Sequence, residues 1–336
     1  MTSAYDHELE VALGAVRQAG RVCRAVQSQI TPDVLEKKDR SPVTVADFAS
    51  QAVVCRVLAE ALPDDPVVGE EDAAELRGES AHFLDSIHGH LAGVGIDGSG
   101  DEICGWIDRG GHTGGTDATG KGRFWTLDPI DGTKGFLRKQ QYAVSLALIV
   151  DGQIVLGVLG CPNLPAAGVG ESMTGSLLWA VRGAGAFQSP LDEDVDPTPI
   201  QVSEITDFAL ARMCESVESG HSKHDASAHV IQTLGVAADP VRLDSQAKYA
   251  TVARGDADIY LRLPTRAGYE ERIWDHAGGV VIVEEAGGTV TDASGRALDF
   301  SCGRTLARNS GVIATAGVDH GAVVSAVGAA MSVSSE

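Results

Sequence analysis

Apolar residues along this chain recur at two spacings, which predict alternating helices and strands. Between Leu9 and Cys23, small and apolar residues recur every three or four positions, which predicts an amphipathic helix over residues 6–27. Two runs rich in β-branched residues, 142–150 and 153–159, flank Asp151-Gly152. Such runs on either side of an Asp-Gly pair predict a β-hairpin with a tight turn.

The second half of the chain alternates more regularly between the two patterns. We expect helices over residues 221–234, 245–253 and 274–286, and strands over 258–263 and 311–315. This alternation indicates an α/β arrangement, whereas the first half mixes long helices with hairpins. An acidic stretch with two prolines, residues 191–199, favours a boundary there. We therefore predict an α+β domain over residues 1–190 and an α/β domain over 191–336.

Composition and charge narrow the possible functions. The chain has 336 residues, of which 43% are hydrophobic and 22% charged, as is usual for a globular enzyme. Its net charge of −21 argues against binding to polymeric nucleic acid, which requires a basic surface. The most apolar run, residues 143–150, is too short to cross a bilayer, so no membrane association is expected.

The termini and the cysteines bear on the compartment. The first ten residues lack the basic start and the apolar segment of a signal peptide. The six cysteines are widely spaced and form no C-x-x-C pair. This spacing favours reduced thiols over a disulfide framework or a zinc site. We therefore expect a cytoplasmic protein.

The most informative stretch is residues 124–138, FWTLDPIDGTKGFLR. Its apolar start predicts a buried strand, which the following proline and glycine would end. Asp128, Asp131 and the carbonyl of Ile130 are oxygen donors of the kind that Mg²⁺ prefers. After the turn, the amides of Gly132 and Thr133 could hold an anion at the start of a helix. The two aspartates alone could arise by chance in a chain with 47 acidic residues.

Three further acidic segments have ordinary structural explanations when each is taken alone. Thr44 and Asp47 have the spacing of a capping box, so Asp47 could simply begin a helix. The run Gly69-Glu70-Glu71-Asp72 could be a solvated loop. In the segment I-W-D-H-A-G-G, Asp275 occupies a position suited to a helix N-cap.

Together, these segments resemble the signatures of a superfamily of lithium-sensitive, Mg²⁺-dependent phosphatases, which includes inositol monophosphatase, fructose-1,6-bisphosphatase and 3′(2′),5′-bisphosphate nucleotidase. The strings are S-P-V-T-V-A-D (41–47), G-E-E-D (69–72), D-P-I-D-G-T (128–133) and W-D-H-A-G-G (274–279). They occur in the order typical of the superfamily. The resemblance implies a layered αβαβα fold of the sugar-phosphatase type.

The resemblance also implies roles for individual residues. Two or three Mg²⁺ ions would be held by Glu70, Asp128, the Ile130 carbonyl, Asp131 and Asp275. Glu71 is the alternative to Glu70. Asp47 and Thr133 would orient and deprotonate the attacking water, and Li⁺ would inhibit the enzyme.

Other segments resemble the nucleotidase branch. Lys134 to Arg138 reads K-G-F-L-R, and inositol monophosphatases usually have asparagine at the position of Lys134. D-S-Q-A-K-Y (244–249) and Y-L-R-L-P (260–264) also resemble this branch. The resemblance implies that Ser245, Lys248 and Arg262 hold a retained 5′-phosphate and that His221 contacts adenine. From spacing alone, Lys248 could lie on a solvated helix face and Arg262 at a strand edge.

The implied substrates are adenosine 3′,5′-bisphosphate (PAP) and its sulfated analogue PAPS, and we expect a monomer. The cleaved phosphate would lie near Gly132 and Thr133. Two alternatives remain open from the sequence. One is an inositol phosphate or polyphosphate phosphatase of the same superfamily, and the other is a non-catalytic nucleotide-binding sensor.

A glycine-rich segment, residues 93–122, contains Gly93, Gly95 and Gly98 in a G-x-G-x-x-G pattern. A dinucleotide site needs a strand before this pattern and a helix after it. We expect neither and assign no such site. Because residues 106–110 resemble a nucleotidase loop, we expect a mobile flap there.

Overall fold

The computed structural model describes residues 4–31, 41–78, 81–166, 174–193, 195–217, 224–266 and 268–333. Within them, a seven-stranded and a five-stranded sheet alternate with three layers of helices. The layered αβαβα arrangement expected from the sequence is confirmed.

The helices of the described residues are long at the N-terminus and shorter afterwards. They are α1 (Asp6–Ser28), α2 (Ser41–Ala61), α3 (Leu84–Ala92), α4 (Gly100–Asp108), α5 (Thr133–Leu137), α6 (His224–Leu234), α7 (Ala247–Ala253), α8 (Ala277–Glu285) and α9 (His320–Val333). Short 3-10 helices occur at Ala81–Phe83, Phe208–Leu210 and Ile273–Asp275.

The seven-stranded sheet is built in chain order. Its strands are β1 (Val67–Gly69), β2 (Arg123–Asp131), β3 (Ala143–Val150), β4 (Gln153–Pro165), β5 (Thr174–Val181), β6 (Gly185–Pro190) and β7 (Thr198–Ile200). β1 and β2 are parallel, and each later strand is antiparallel to the one before it. Asp151 and Gly152 both have positive φ, so the predicted tight turn between β3 and β4 is confirmed.

Both faces of this sheet are buried, and alternate residues of β2 belong to different cores. Trp125 and Leu127 pack in the core that contains α1 and α2. Phe124 lies on the opposite face, in the core that contains α7 and α8. Burial on both faces explains why the start of β2 is continuously apolar rather than alternating.

The five-stranded sheet carries the second half of the chain. Its strands are β8 (Met213–Ser216), β9 (Val241–Leu243), β10 (Ile259–Arg262), β11 (Thr289–Thr291) and β12 (Val312–Thr315), in the order β11-β12-β10-β8-β9. Tyr260 of β10 points into the core shared with α7 and α8. Its neighbours Ile259 and Leu261 pack in a third core with α6 and α9. Helices α7 and α8 therefore lie between the two sheets.

One sequence expectation about a helix start is wrong. Helix α2 begins at Ser41, so Thr44 and Asp47 lie inside it and do not form a capping box at its start. Pro42 is compatible with this earlier start because the first N–H groups of a helix have no intrahelical partner. Asp47 therefore needs another explanation than helix capping.

The glycine-rich segment also differs from expectation. A helix, α4, follows Gly98, and it starts with a capping box in which Ser99 and Glu102 bond reciprocally. The element before the glycines is α3 rather than a strand, so the pattern is still not a dinucleotide site. After α4, the Gly69 amide donates to the Gly110 carbonyl at 2.8 Å. The expected flap is thus a capped helix followed by residues that pair with β1.

The predicted domain boundary divides the first sheet. Strand β7 pairs with β6 and ends at Ile200, beyond the boundary predicted after residue 190. The division of the chain into two domains stays a prediction. Across the described ranges, no helix combines the length and apolar character needed to cross a bilayer. All six cysteines are free thiols, and only Cys302 among them is partly exposed.

Candidate functional site

A single pocket gathers side chains from both halves of the chain. Its volume is about 200 Å³. Its lining includes the predicted residues Glu70, Asp128, Ile130, Asp131, Gly132, Thr133, Ser245, Lys248, Arg262 and Asp275. Asp47 is buried and is not among the lining residues, and His221 lies outside the described residues.

A bulge at the end of β2 brings Asp128 and Asp131 to the same pocket. In a regular strand, residues three apart point to opposite faces. Here Asp128 pairs with Ser145 and Asp131 with Ala143, so the register shifts between them. An extra residue in one strand bends it and redirects the side chains that follow. We expected Pro129 to end the strand. Instead, the Pro129-Ile130 pair forms a bulge that redirects it.

Two neighbouring residues of α2 hold the segments that carry the acids. The Ser50 hydroxyl donates to the Pro129 carbonyl at 2.8 Å. Gln51 donates to the Glu71 carbonyl at 2.6 Å and accepts from the Glu71 amide at 3.1 Å. Helix α2 thus fixes both the β2 bulge and the loop after β1.

The loop after β1 places Glu70, not Glu71, in the pocket. The Glu70 carboxyl group also lies close enough to that of Asp128 for the two to affect each other's ionisation. Although its side chain reaches solvent, surrounding protein atoms raise the pKa of Glu70 to about 8, and the charges of Asp275, Glu71 and Asp131 add to the shift. Two carboxyl groups this close do not both stay ionised unless a cation lies between them.

Asp47 lies close enough to these acids to feel their charge. It is 7% exposed, and burial raises its pKa well above the usual value, reinforced by Glu71 and Glu70. The pKa of Asp128 is raised in the same way, first by burial and then by Glu70 and Asp131. The site therefore holds several carboxyl groups that resist simultaneous ionisation.

Gln246 connects Asp131 to the last acidic segment. Its backbone amide donates to Asp131 Oδ2 at 2.6 Å. Its side chain donates to the Trp274 carbonyl at 2.9 Å and accepts from the Gly279 amide at 3.0 Å. Gln246 is 1% exposed. Asp275 lies at the end of the 3-10 helix that precedes α8, and His276 takes the N-cap position. The N-cap explanation of Asp275 is therefore wrong.

Lys248 is buried rather than on a solvated helix face. It is 2% exposed, and its Nζ donates to the carbonyls of Ser245 at 2.7 Å and Leu243 at 3.3 Å. Burial lowers its pKa to about 8, which the charge of Asp131 opposes. Ser245 has φ +65°, a strained conformation for a residue with a side chain, and such strain clusters at functional sites.

Arg262 ends β10, and its side chain is only 12% exposed. Its Nε lies 2.8 Å from Glu271 Oε2, and its Nη2 lies 3.1 Å from Asp275 Oδ2. Ligand atoms of Glu271, Asp275 and His276 lie within 4.8 Å of one another, a spacing that could suit a metal. We do not assign a metal there because Arg262 already pairs with Glu271 and both ring nitrogens of His276 have partners.

The pocket carboxylates fit a hard divalent cation. Oδ1 of Asp47 and Oδ1 of Asp128 are buried without a hydrogen-bond partner among the described residues. A buried, unpartnered carboxylate oxygen is costly unless a cation or proton satisfies it. The donors are all oxygens, which Mg²⁺ and similar ions prefer.

Sequence reasoning missed the residues that position this site. Ser50, Gln51, Gln246 and Glu271 bond to its loops or side chains but were assigned no role. Gln246 lies within the D-S-Q-A-K-Y string, but its contacts with Asp131 and Trp274 join distant parts of the chain. No local spacing signals such contacts.

The N-cap of α5 provides a test of how closely the two halves approach. Gly132 has φ +87°, and an added Cβ would lie 2.9 Å from Ser245 Cβ. We expect Gly132→Ala to lower the free energy of unfolding by more than the ~1–2 kcal/mol cost of a left-handed alanine and to reduce activity. Gly183→Ala is the matched control, because Gly183 has φ +80° with nothing within 4 Å. Equal losses in chemical denaturation of the two variants would contradict the close approach.

Comparison with known proteins agrees with this geometry. The inositol monophosphatase family matches residues 4–332, and the chain belongs to this family, whose members are metal-dependent phosphatases. A 3′(2′),5′-bisphosphate nucleotidase from Schizosaccharomyces pombe is 44% identical over 328 residues, covering 93% of this chain and 92% of the relative. One from Oryza sativa is 46% identical over 330 residues, covering 93% and 90%.

Solved structures share the fold at lower sequence identity. An inositol monophosphatase from Zymomonas mobilis superposes with a TM-score of 0.64 at 22% identity, covering 98% of this chain and 100% of that one. One from Thermotoga maritima gives 0.62 at 20% identity, covering 97% and 98%. These similarities support the fold only.

Proposed function

We propose that this chain is a Mg²⁺-dependent phosphatase that removes the 3′-phosphate from adenosine 3′,5′-bisphosphate, giving AMP and phosphate. One observation carries the proposal: the pocket joins a carboxylate cluster to two enclosed cationic side chains, Lys248 and Arg262. Hydrolysis of a phosphomonoester needs the carboxylate cluster, which can bind metal ions. A second phosphate on the substrate needs the two cations, because the protein has a net charge of −21. The names of the relatives support the same substrate.

In this proposal, Glu70, Asp128, Asp131, Asp275 and the Ile130 carbonyl hold two or three Mg²⁺ ions. Ile130 suits a backbone role because its side chain packs in the core under α2. When bound, Mg²⁺ supplies positive charge to the phosphoryl oxygens and makes a water molecule more acidic.

Side chains of this protein would orient the attacking water and accept its proton. Asp47 is the proposed base, and its raised pKa brings it closer to neutral pH than an ordinary carboxylate. Thr133, the first residue of α5, lines the pocket and would orient the water through its hydroxyl. Burial of Asp47 keeps other water away from this base.

Lys248, Arg262 and Ser245 would hold the 5′-phosphate that stays on the product. A planar guanidinium can bind a phosphate through two parallel hydrogen bonds. Lys248 adds a second positive charge: burial lowers its pKa to about 8, and the charge of Asp131 opposes that shift. His221 is proposed to contact the adenine, and Gly132 and Thr133 to hold the leaving phosphate.

Several further properties belong to the same proposal. They are activity on PAPS, inhibition by Li⁺, a monomeric state and a cytoplasmic location. The division into an α+β unit and an α/β unit is proposed as well.

Phosphate release from a panel of substrates with Mg²⁺ tests the function directly. We expect kcat/KM to be highest for PAP and much lower for inositol 1-phosphate and inositol 1,4-bisphosphate. A preference for either inositol phosphate would replace the proposal with an inositol phosphatase. Nucleotide binding without phosphate release would indicate a non-catalytic sensor.

Variants of the two cations test the retained-phosphate assignment. Lys248→Ala and Arg262→Ala each remove a charge-assisted contact worth about 1.5–3 kcal/mol. We expect kcat/KM for PAP to fall about ten- to a hundredfold, while that for 3′-AMP, which lacks the 5′-phosphate, falls far less. Arg308→Ala is the control, since exposed Arg308 pairs with Asp299. Equal losses on both substrates would show that these residues do not contact the 5′-phosphate.

A further inference from the structure

A buried chain of polar contacts stands behind Arg262. Glu271 Oε2 lies 2.8 Å from Arg262 Nε and 3.3 Å from His276 Nε2. His276 Nδ1 lies 2.7 Å from the Tyr249 hydroxyl. Glu271 is 3% exposed, and both His276 and Tyr249 are fully buried. The proposed reaction assigns no role to these three residues.

The donors and acceptors of this chain have a single consistent arrangement when His276 is neutral. The Tyr249 hydroxyl donates to Nδ1, and Nε2–H donates to Glu271. Glu271 also forms an ion pair with Arg262, with 2.8 Å between Oε2 and Nε. Burial alone would raise the pKa of Glu271, but the hydrogen bond from His276 and the charge of Arg262 lower it to about 2. Glu271 therefore stays ionised at neutral pH.

The same contacts reach the second cation of the pocket. Tyr249 directly follows Lys248, and its ring meets that of Tyr260 edge-to-face at 4.9 Å. Lys248 Nζ lies over the Tyr260 ring at 5.4 Å. Lys248 and Arg262 are thus braced by one continuous set of buried contacts.

We propose that Glu271 is a positioning residue, which holds the Arg262 guanidinium by its Nε and so aims its terminal nitrogens at the retained phosphate. This inference rests on the proposed function of Arg262. Arginine has several rotatable bonds, and fixing them before substrate arrives lowers the ordering cost of binding. His276 and Tyr249 hold Glu271 in this orientation.

Glu271 also offsets the electrostatic attraction between Asp275 and Arg262. Asp275 Oδ2 lies 3.1 Å from Arg262 Nη2, so it competes for the guanidinium. Tyr269 lines the same pocket as Arg262 and Asp275. With the Glu271 charge removed, the guanidinium is free to turn towards Asp275, away from the phosphate.

The test compares substrates with and without the retained phosphate. Glu271→Gln keeps the shape and removes the charge. We expect the ratio of kcat/KM for PAP to that for 3′-AMP to fall about tenfold, mainly through KM. Glu271→Asp should recover part of the ratio, and Tyr249→Phe, a milder change, should lower it slightly. Glu270→Gln is the matched control, because exposed Glu270 bonds Thr305 on the neighbouring loop and should leave the ratio unchanged.

A double variant separates positioning from a purely structural role. In the Arg262→Ala background, Glu271→Gln should cause no further fall in the ratio, because its effect passes through Arg262. Equal losses on both substrates, or additive effects on the ratio, would overturn the inference. A higher Mg²⁺ requirement with both substrates would instead make Glu271 a metal ligand and also overturn it. If Arg262→Ala leaves the ratio unchanged, the proposed role of Arg262 in binding the 5′-phosphate is wrong. That result differs from one in which Arg262→Ala lowers the ratio and Glu271→Gln does not, which would contradict only the role of Glu271.

Discussion

Asp131→Asn is expected to lower kcat/KM about a thousandfold or more while the fold survives. The carboxylate is proposed to share Mg²⁺ ions, and losing its charge removes several kcal/mol of stabilisation from the transition state. Asparagine keeps an oxygen that can accept from the Gln246 amide, the 2.6 Å bond that ties Asp131 to α7. The measurements are steady-state kinetics with PAP, and isothermal titration calorimetry with Mg²⁺ to follow metal binding.

Asp64→Asn is the control for this variant. Asp64 is exposed in the turn between α2 and β1, so its loss of charge should change neither activity nor metal binding. Circular dichroism spectra of both variants should match that of the unmodified protein. Near-normal activity of Asp131→Asn at saturating Mg²⁺ would contradict the metal assignment.

Without divalent cations, the free energy of unfolding is expected to fall as pH rises from about 5 to 8. Desolvation, with like charges adding, raises the pKa of Glu70 to about 8 and that of Glu71 to about 7. Burial raises the pKa of Asp131 to about 6. Since the unfolded chain ionises these groups near their model values of 4.5 and 3.8, the folded state binds more protons throughout this window.

The sign of the effect follows from that difference in protons. Where the folded state holds more protons, stability is greatest at low pH and is lost as the folded carboxyl groups ionise. Lys248 does not reverse the trend, because its lowered pKa of about 8 leaves it protonated below that value in both states. Glu271, with a pKa of about 2, affects stability only below the window.

Mg²⁺ should restore the lost stability at high pH. A ligand at a hundred times its Kd stabilises the folded state by about 2.7 kcal/mol, and this ligand requires ionised carboxylates. Thermal unfolding with EDTA and with Mg²⁺ at pH 5.5 and pH 8 measures both effects. We expect a larger rise in Tm at pH 8, and a smaller pH dependence in Glu70→Gln. A Tm independent of pH in EDTA, or equal Mg²⁺ effects at both pH values, would contradict the carboxylate cluster.

Most secondary structure could be predicted because its signals are local. The apolar spacing of α1 and the Asp-Gly turn between β3 and β4 both depend on neighbouring residues. The errors arose where two local signals competed. At α2, the Thr44–Asp47 spacing suggested a cap, but the chain was already helical from Ser41. At α4, the Ser99–Glu102 capping box starts a helix despite the glycines that precede it.

The site could be predicted in its parts but not in its assembly. The D-P-I-D-G-T string carries its own bulge and turn, which redirect its carboxylates, but Ser50 and Gln246 hold the string from distant parts of the chain. Whether Lys248 was buried or solvated could not be decided from its helix alone. Its burial depends on Tyr260, which belongs to a strand of the second sheet.

The sequence by itself determined the family, the layered fold and the acidic segments, because each signature is a contiguous string whose chemistry and local shape are set by neighbouring residues. Only the tertiary structure decided which groups position them. Gln51 reaches the loop after β1, Gln246 reaches Asp131, and Glu271 reaches Arg262. The first two contacts join residues far apart in sequence, and the third depends on how the loop after β10 folds back. Such contacts form only once the layers pack, and no spacing along the chain encodes their distances.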